Sequence, residues 1–570
     1  MSKVVFITPN IGGFAREDPV GTLLLATILR QSGIDTDILQ FHHFGDVADF
    51  DGFINRAIDM ILAKEPKIVS FYTRCDTYHI TIKIAMELKA RAKDVYVIFG
   101  GPQADLSCED TLHQLPFVDF ICCGEGENTV VPFFSSLLSG APDLTVDGLA
   151  YFSDGIIHRN PRPALIRDLD TLPIIDYSLL DFSNEGKSPL AITLFPVDVG
   201  RGCPFGCTYC STKTFWGRNY RLKSAERIIQ EIKEIHDRFG FTHFNFEHDM
   251  FTLNRDKVIK ICGMLKNIGF DIKWRCSARI DCLDEELVDI MIDAGLISLF
   301  MGIETGSPRM QKLIRKNLKL DEIPRMLKYI CSKGIIVTTS FIYGFPNETE
   351  EDFAQTIQLM TDLSKLPNIT VFPHLCAFLA GTELTEQFFN VTDKASKISD
   401  VAGEIAIEEC QDIITAHPVL FPHYYEYKTE FREKVTFYPL FFRSWQVMRP
   451  VYEYLQKKYY QDRLCDMLFD FSDSNRDILI TDQPLLIMLD QDRYLDRFAE
   501  DENLPILKEI ARYRIWKQRK RFGSVEVFNF DVRAFLNGTP IEELEQKITM
   551  VSLGKDCDNN TVVKILKVNS

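Results

Sequence analysis

Short hydrophobic runs alternate with amphipathic segments along the first 145 residues of the chain. KVVFIT at residues 3–8 predicts a strand, and LLLATILRQSG predicts a helix that ends at Gly33. The alternation continues through strands DTDILQF, KIVSFY, DVYVIFGG and VDFICCG, with helices predicted at 53–64, 79–92 and 109–115. Buried strands joined by helical crossovers indicate an α/β fold with a doubly wound parallel sheet over residues 1–145.

The alternation resumes after a connector. Residues 146–188 hold two short strand candidates, GLAYFS and GIIHRN, and an apolar, proline-punctuated stretch that predicts an ordered segment packed on a neighbour. Over residues 189–395, about six strand and helix repeats predict a partial (β/α)6 TIM-like barrel with its chemistry at the strand C-termini. Its helices are predicted at 224–238, 255–267, 284–293, 308–316 and 349–363. Residues 396–570 predict a separate, mainly helical C-terminal domain.

The loops beyond the strand C-termini of a doubly wound sheet converge on one crevice, where ligands bind. In the first domain these loops contain Thr8, Pro9, Tyr72, Thr73, Cys75, Gly100, Gly101, Pro102, Gly124, Glu125, Gly126 and Glu127. The glycines allow the backbone to approach a bulky ligand closely, although tight turns explain them equally well. No GxGxxG motif follows the first strand, which disfavours a dinucleotide site.

Composition narrows the class of protein. The 570 residues are 46% hydrophobic and 25% charged, which excludes a disordered or collagen-like chain and predicts several domains of about 150 residues each. The 81 acidic and 64 basic residues give a net charge of −17, which argues against a nucleic-acid or membrane-surface partner. No signal peptide or long apolar span is evident, so a cytoplasmic protein is expected. Fifteen cysteines in so long a chain favour reduced thiols, some of them metal ligands.

The sharpest chemical signal is GRGCPFGCTYCS, which follows the first strand of the predicted barrel. Cys203, Cys207 and Cys210 form a CxxxCxxC motif. Three thiolates on one loop can hold three irons of a cubane and leave the fourth iron open to a ligand. A structural zinc site would call for a fourth thiolate or imidazole, and no second CxxC occurs in the chain.

The glycines, Pro204 and Tyr209 around these cysteines resemble the signature loop of the radical S-adenosylmethionine superfamily. The resemblance covers about residues 190–385. It implies that the cysteines bind a [4Fe-4S] cluster and that S-adenosylmethionine chelates the open iron. One electron then cleaves the sulfonium to a 5'-deoxyadenosyl radical. No catalytic residue is assigned beyond this loop.

Later strand ends match further motifs of the superfamily: FNFEHDMF, SARID, GIETGS and IYGFPNE. His248 stands where many members have a second aspartate. The resemblance implies S-adenosylmethionine contacts from Tyr209, Glu247, Asp249, Ser277, Arg279, Gly302, Glu304, Gly344 and Phe345. Taken singly, Glu304 or Asp249 would more often be a helix cap or a surface acid, and the order of the motifs at successive strand ends favours the site.

The first domain resembles the Rossmann-like domain of the cobalamin-binding branch of that superfamily. The resemblance rests on PxGxxxLA, FGGP and GEGE, and on DLDTLPIIDY in the connector. It implies cobalamin contacts from Thr8, Pro9, Gly21, Tyr72, Thr73, Gly100, Gly101, Pro102, Gly124, Glu125 and Gly126. The DxHxxG motif that supplies a lower cobalt ligand elsewhere is absent, so that ligand stays open.

Other conspicuous residues have ordinary explanations. His42, His43 and His79 are candidates to neighbour the corrin, but structural histidines are the favoured interpretation. Cys75, Cys122 and Cys123 are expected to be inert buried thiols. The aromatic residues of HYYEYKTEF and YPLFF are expected in a helical core more than along a cavity, and RYRIWKQRKR at 512–521 is expected to be a solvated helix face.

Resemblance to this branch implies three hypotheses for function. The leading one is an enzyme that methylates an unactivated carbon through a 5'-deoxyadenosyl radical and methylcobalamin. The second is a non-methylating oxidation, cyclisation or rearrangement with the same cofactors. The third, a non-enzymatic redox or cobalamin sensor, is disfavoured because the nucleoside-binding motifs remain. An enzyme of this kind takes a small-molecule or peptide substrate and an external one-electron reductant such as flavodoxin or ferredoxin.

Overall fold

The protein was analysed as a computed structural model that describes residues 3–10, 20–180, 194–389, 393–394, 405–427, 429–435, 438–474, 492–518, 525–555 and 561–568. The chain forms two compact units. The first comprises Met1–Pro346 and Lys365–Lys428, and the second comprises Asn347–Ser364 and Thr429–Ser570. In the described part of the chain, no helix combines the length and the apolar character that crossing a membrane requires.

The first unit begins with the predicted parallel sheet and its helices. The elements are β1 (Lys3–Thr8), α1 (Val20–Gln31), β2 (Thr36–Gln40), α2 (Phe50–Leu62), β3 (Pro66–Tyr72), α3 (Tyr78–Arg91), β4 (Tyr96–Gly100), α4 (Pro102–Leu106), α5 (Cys108–Gln114), β5 (Phe120–Cys122), α6 (Val130–Leu138), β6 (Leu149–Ser153) and β7 (Ile156–Arg159). The strand order is β2-β1-β3-β4-β5-β6-β7. The first five strands are parallel, which confirms the prediction, and they are nearly continuous hydrophobic runs because helices cover both faces.

The two strand candidates of the connector belong to this same sheet. β6 pairs antiparallel with β5, and β7 pairs antiparallel with β6. The predicted division at residue 145 stays a prediction, and the hydrogen bonds of these strands carry the first sheet on to Arg159.

The second sheet contains the predicted strand and helix repeats. Its elements and their neighbours are β8 (Phe195–Asp198), β9 (Gly200–Arg201), α7 (Thr212–Trp216), β10 (Arg221–Leu222), α8 (Ala225–Phe239), β11 (His243–Glu247), α9 (Arg255–Leu265), β12 (Lys273–Ser277), α10 (Glu285–Asp293), β13 (Leu296–Glu304), α11 (Pro308–Leu313), α12 (Ile323–Ser332), β14 (Ile336–Tyr343), α13 (Glu350–Leu363), β15 (Ile369–Leu375) and α14 (Glu383–Phe388). Six strands pair in parallel in the order β15-β14-β13-β12-β11-β8, as a partial barrel requires. Ser224, Asn254, Asp284 and Ser307 cap their helices through side-chain oxygens, which explains why these helices begin where they do.

One face of this second sheet is buried under helices and the other is more open. Along β13, Leu299 and Met301 are fully buried, whereas Phe300 between them is 45% exposed. The same alternation places Phe372 of β15, which is 44% exposed, on the open face. We call this side, with Asn245, Arg275, Ser277, Phe300 and Phe372, the open face of the second sheet.

Residues 405–425 pack against the first sheet and its helices. They include α15 (Gln411–Ala416), and β17 (Tyr425–Glu426) pairs with β16 (Asp393–Lys394). The Gln103 side-chain amide donates to the Leu420 carbonyl at 3.0 Å, and Tyr424 lies in the same hydrophobic core as α2 and α3. Tyr424 is therefore buried as expected, but in the core of the first sheet and not in a helical core. The predicted division at residue 396 stays a prediction.

The second unit is mainly helical, as predicted, and contains α13. Its other elements are α16 (Glu430–Val435), α17 (Tyr438–Tyr459), α18 (Leu464–Ser474), α19 (Asp492–Leu495), α20 (Leu504–Gln518), β18 (Val525–Phe528), α21 (Val532–Leu536), β19 (Thr549–Lys555) and β20 (Thr561–Val568). Phe441 and Phe442 are buried in its aromatic core. The three-stranded antiparallel sheet β18-β19-β20 was not predicted. The basic run at 512–521 continues past α20 into residues 519–521, which lie outside the described residues.

Candidate active site

The loop that follows β9 carries the cysteine motif. Gly202 has a φ of +81°, and a Cβ atom added there would lie 2.2 Å from the carbonyl oxygen of Asn219, so the turn into the loop requires glycine. The Gly202 N–H donates to Asp249 Oδ2 at 3.0 Å, which ties the start of the loop to the end of β11. Cys203 therefore leaves the sheet at a fixed point.

Backbone hydrogen bonds from distant parts of the chain hold the rest of the loop. The Thr208 N–H donates to the Ile314 carbonyl at 3.1 Å, and the Leu384 N–H donates to the Thr208 carbonyl at 3.1 Å. The Cys210 N–H donates to the Cys207 carbonyl at 3.4 Å, which closes the turn between these two ligands. All three cysteines are thus presented by one anchored loop.

The electrostatics of the loop suit a metal-bearing cluster. Burial, with a smaller contribution from the nearby charges of Cys210, Asp249 and Cys207, raises the pKa of the Cys203 thiol to about 11 against the lowering effect of a backbone hydrogen bond from Phe205. Burial also raises the pKa of Cys210. Thiols with raised pKa values become thiolate ligands when a cation offsets their mutual repulsion, as iron does in a cluster.

The donor set of the loop disfavours a structural zinc ion. Such a site takes four thiolate or imidazole ligands, and the loop supplies three thiolates. A [4Fe-4S] cube held by three thiolates keeps one iron for another ligand, so the three cysteines fit such a cluster.

The end of β11 contributes two exposed, hydrogen-bonded acids and a buried histidine. Glu247 accepts a hydrogen bond from the Asn245 side chain, and Asp249 accepts one from the Gly202 N–H. His248 accepts from the Met250 N–H at 2.7 Å through Nδ1, and its Nε2 lies 3.1 Å from the Arg221 carbonyl. Burial lowers the pKa of His248 to about 4, so it is neutral at physiological pH and acts as a structural bridge.

Arg279, after β12, faces the cysteine loop. Its guanidinium binds Asp281 at 2.8 and 3.1 Å and the Lys316 carbonyl, and it lies 4.0 Å from the ring centroid of Phe205. Ser277 ends β12 on the open face. The predicted contacts of both residues with S-adenosylmethionine stay predictions. Sequence reasoning missed Phe205, although an aromatic residue inside the cysteine motif was a usable signal.

Glu304 ends β13 in an unusual backbone conformation. Its φ is +71°, which is rare for a residue other than glycine, and its carboxylate binds Lys316 Nζ at 2.9 Å. A Cβ atom at Gly302 would lie 2.1 Å from Glu304 Oε1 and 3.0 Å from Lys316 Nζ, so any larger residue there would displace this ion pair. Burial raises the pKa of Tyr209 well above its usual value, and a hydrogen bond with Glu304 adds to the shift. Backbone strain of this kind concentrates at functional sites.

Gly344 and Phe345 follow β14. Gly344 has a φ of +75°, and Phe345 is buried with its ring 6.1 Å from that of Tyr209. The motifs predicted from four separate strand ends therefore meet around the cysteine loop. Arg275 on the open face was not predicted; its Nε donates to Asn245 Oδ1 at 2.9 Å.

The crevice of the first sheet is shaped mainly by backbone. The Thr73 Oγ1 donates to the Gly100 carbonyl at 2.8 Å and accepts from the Ala104 N–H at 2.9 Å, which joins the ends of β3 and β4. A Cβ atom at Gly101, where φ is +93°, would lie 2.8 Å from the Tyr72 ring. Pro102 begins α4 directly afterwards. The predicted residues of these two loops are therefore in contact.

Polar groups at the ends of β1 and β5 complete the crevice. Thr8 is fully buried, and its hydroxyl has no hydrogen-bond partner among the described residues. Pro9 is buried beside it, and Gly21 lies exposed in the first turn of α1. The Gly124 N–H donates to Asp105 Oδ2 at 2.9 Å, and a Cβ atom at Gly126 would lie 3.1 Å from Leu25. An orphaned buried hydroxyl beside glycine-lined loops fits a bulky ligand with polar edges.

The histidines and thiols of the first domain have structural partners or raised pKa values. His79 bonds to the Ile405 carbonyl at 2.7 Å and to the Tyr424 hydroxyl at 3.2 Å, and the Gln40 N–H donates to His43 at 3.0 Å. Burial raises the pKa of Cys75 to about 11 and that of Cys122 to about 12. Cys123 lies 3.5 Å from Cys108 through their sulfur atoms. These contacts fit structural histidines and inert thiols.

Glu125 makes the most informative contacts of the crevice loops. It is 4% exposed, and its carboxylate binds Arg201 at 2.7 Å, Arg221 at 2.8 and 2.9 Å and the Ile166 N–H at 2.7 Å. Arg201 lies two positions before Cys203 in the chain. Arg201 ends β9 and Arg221 begins β10, and these two strands pair as a separate two-stranded sheet, so the crevice loop of the first sheet binds the strands on either side of the cysteine loop.

Comparison with known proteins agrees with this arrangement. Residues 15–133 match the family model of the B12 binding domain, and residues 197–360 match that of the radical SAM superfamily. An uncharacterised methyltransferase, PH0819, of Pyrococcus horikoshii is 30% identical over 60% of this chain and 73% of its own length. An anaerobic magnesium-protoporphyrin IX monomethyl ester cyclase of Rubrivivax gelatinosus is 26% identical over 63% of this chain and 66% of its own length.

Among solved structures, the cobalamin-dependent S-adenosylmethionine radical enzyme OxsB shares the fold. The TM-score is 0.61 at 16% identity, over 94% of this chain and 81% of OxsB. Two adjoining sites, one a glycine-lined crevice and one a three-cysteine loop, are the features of this class of enzyme. The chain belongs to the cobalamin-binding radical S-adenosylmethionine enzymes. Its cofactors are a [4Fe-4S] cluster, S-adenosylmethionine and cobalamin.

Proposed function

We propose that the protein is a methyltransferase that attaches a methyl group to an unactivated carbon. The observation that carries the proposal is the hydrogen bond of 2.7 Å between Glu125 of the crevice loop and Arg201, the last residue of β9 before the cysteine loop. Two cofactors that act on one substrate carbon must be held side by side, because positioning supplies much of the rate enhancement in such reactions. The name of the Pyrococcus relative supports methyl transfer.

Different residues of this chain would hold each of the three cofactors. Cys203, Cys207 and Cys210 would hold the cluster, and the crevice loops of the first sheet would hold cobalamin. When bound, the cluster supplies the electron that cleaves S-adenosylmethionine and cobalamin carries a methyl group. Tyr209, Glu247, Asp249, Ser277, Arg279, Gly302, Glu304, Gly344 and Phe345 are proposed to surround S-adenosylmethionine. Glu304 is presented by a strained backbone and would orient a cationic group.

The open face of the second sheet is the proposed surface for the substrate. Phe300 and Phe372 are about half exposed there, and Arg275 has no carboxylate partner among the described residues. We propose a small-molecule or peptide substrate in the cytoplasm and an external one-electron reductant of the flavodoxin or ferredoxin kind. A non-methylating cyclisation is the second candidate, because the Rubrivivax relative is named a cyclase.

The test is anaerobic reconstitution with iron, sulfide, cobalamin, a titanium(III) reductant and S-adenosylmethionine labelled on its methyl group. Metabolite and peptide extracts supply candidate substrates, and mass spectrometry follows the products. We expect 5'-deoxyadenosine, S-adenosylhomocysteine and a substrate that carries the label. If a converted substrate appears with 5'-deoxyadenosine but without S-adenosylhomocysteine or label, methyl transfer is wrong and the second candidate replaces it.

A further inference from the structure

A buried ion network joins the two cofactor-bearing loops. Glu125 lies between two guanidinium groups, at 2.7 Å from Arg201 and 2.8 Å from Arg221. The side chains of both arginines are 9% exposed and that of Glu125 is 2% exposed. Charge-assisted hydrogen bonds in so dry a setting are short and directional, so they fix relative positions well.

Arg201 forms a fork between two acids of the GEGE loop. Its Nη1 binds Glu125 and its Nη2 binds Glu127 at 2.6 Å. The ring of Trp216 lies 5.8 Å from the Arg201 guanidinium and 5.4 Å from that of Arg221, so one indole packs beside both cations. The planar fork leaves Arg201 little freedom to shift along the interface.

The network lies close to both cofactor sites along the chain. Glu125 stands between Gly124 and Gly126 of the crevice, and Arg201 is followed by Gly202 and Cys203. A displacement of Glu125 would therefore move Arg201, which lies two residues before Cys203. Sequence motifs assigned Glu125 to cobalamin itself, whereas its carboxylate oxygens are bonded to Arg201 of β9, Arg221 of β10 and the Ile166 N–H.

We propose that Glu125 is a positioning residue that sets the separation of the cluster loop and the cobalamin crevice, and so couples methyl removal from S-adenosylmethionine to cobalamin. This inference rests on the proposed function. Cleavage to 5'-deoxyadenosine requires S-adenosylmethionine and the cluster alone. Formation of S-adenosylhomocysteine breaks the S–CH3 bond with its electron pair left on sulfur, and the methyl group would pass to cobalamin reduced by the titanium(III) reagent, which requires both loops in register.

The chain offers a matched control for loss of a buried carboxylate. Glu231 on α8 is 3% exposed, binds Lys223 at 2.9 Å and Arg227 at 2.6 Å, and binds neither Arg201 nor Arg221. Lys223 also pairs with Asp198, which lies 3.9 Å from Arg201, so this control asks whether a buried carboxylate one ion pair further from the loops has the same effect. Glu125→Gln places an amide N–H₂ against the guanidinium groups, and Glu231→Gln makes the same change in the control cluster. Arg201→Lys is a third variant, because lysine keeps the charge but cannot bridge both acids.

The experiment uses reconstituted holoenzyme, with iron and cobalamin content measured for each variant. S-adenosylmethionine and a titanium(III) reductant are added without substrate, and both nucleoside products are quantified. For Glu125→Gln we expect S-adenosylhomocysteine formation to fall about 100-fold, because a small misplacement of reacting groups has that effect. We expect 5'-deoxyadenosine formation to change less than about threefold and Glu231→Gln to match the wild type in both.

Hydrogen exchange of the same samples gives a readout that is independent of turnover. Glu125→Gln should raise exchange at residues 124–127 and 199–203 together, and Arg201→Lys should act in the same direction but less strongly. A fall of both products in parallel, or an unchanged ratio in Glu125→Gln and Arg201→Lys, overturns the inference. If the wild type forms no S-adenosylhomocysteine, the proposed function is wrong. Unchanged hydrogen exchange at residues 124–127 and 199–203 in Glu125→Gln would separately show that Glu125 does not hold these two segments in position.

Discussion

The cysteine loop and the cobalamin crevice are built in opposite ways. The cysteine loop concentrates its chemistry in side chains within residues 203–210, and distant backbone groups such as those of Ile314 and Leu384 hold it in place. The crevice gathers its surface from several strand ends and presents mostly backbone, with Gly101 held against Tyr72. The cysteine loop therefore depends on particular side chains, whereas the crevice depends on glycines that have no side chain.

The two constructions predict different failures. Loss of one thiol removes a ligand and leaves the loop in place, because the anchoring bonds are made by backbone. Addition of one methyl group to the crevice fills space that a ligand needs and strains a backbone with positive φ. Variants of the two sites should therefore separate the functions of the two cofactors.

The largest effect is expected for Cys207→Ala. The variant leaves two thiolates for a cube that needs three from the protein, so the cluster is lost or labile. We expect 5'-deoxyadenosine formation to fall at least about 1000-fold, because radical generation depends on the cluster. Anaerobic iron and sulfide analysis with product quantification measures this.

Cys262→Ala is the matched control, because Cys262 is a buried thiol on α9 away from the loop. It should keep both cluster and product, and both variants should bind cobalamin as the wild type does. Retained cleavage in Cys207→Ala would contradict the cluster assignment.

A smaller effect is expected for Gly101→Ala, which should weaken cobalamin binding and leave the cluster intact. The added Cβ would lie 2.8 Å from the Tyr72 ring and 2.9 Å from the Thr73 carbonyl, at a φ of +93°. Overpacking and left-handed strain together amount to about 3 kcal/mol. We expect cobalamin binding to weaken by about 100-fold at unchanged cluster content. Equilibrium dialysis with cobalamin measures the affinity.

Gly140→Ala is the control for left-handed backbone strain without a steric conflict. Gly140 has a similar φ of +78°, but a Cβ atom there would meet nothing within 4 Å. Cobalamin affinity should be unchanged in this control. Equal affinities in Gly101→Ala and the wild type would show that the crevice tolerates the added methyl group, and the crevice would then not depend on glycine at this position.

The contrast also explains what the sequence could and could not predict. The parallel sheets and the six repeats followed from local periodicity, because buried strands between helices need continuous apolar runs. Cys203, Cys207 and Cys210 were visible because their spacing lies within one short loop. These features are encoded by residues that are neighbours in the chain.

Features that depend on distant residues were missed or misplaced. Nothing near Glu125 in the sequence indicates that Arg201 and Arg221, 76 and 96 positions away, would bind its carboxylate. The antiparallel strands β6 and β7 were recognised, but their pairing with β5 was not, because sheet order depends on long-range contacts. The packing of residues 405–425 on the first sheet is likewise invisible to periodicity.

The smallest expected effect is on the pH dependence of stability and concerns His248. This residue precedes Asp249, which holds the start of the cysteine loop, and its ring lies against the Arg221 carbonyl of β10. The pKa of His248 is about 4 in the folded protein, against about 6.5 when unfolded. The unfolded chain therefore binds a proton as pH falls below about 6.5, while the folded protein does not until about pH 4, so stability is full above this window and falls within it.

His248→Asn isolates this contribution, because the asparagine carbonyl can still accept from the Met250 N–H while the titrating group is gone. Between pH 7.5 and pH 5 the wild type should lose about 2 kcal/mol more of unfolding free energy than the variant. Urea denaturation followed by tryptophan fluorescence measures the difference at each pH. Parallel pH profiles for the wild type and His248→Asn would mean that folding does not shift the pKa of His248, which would contradict a neutral, buried ring that accepts from the Met250 N–H.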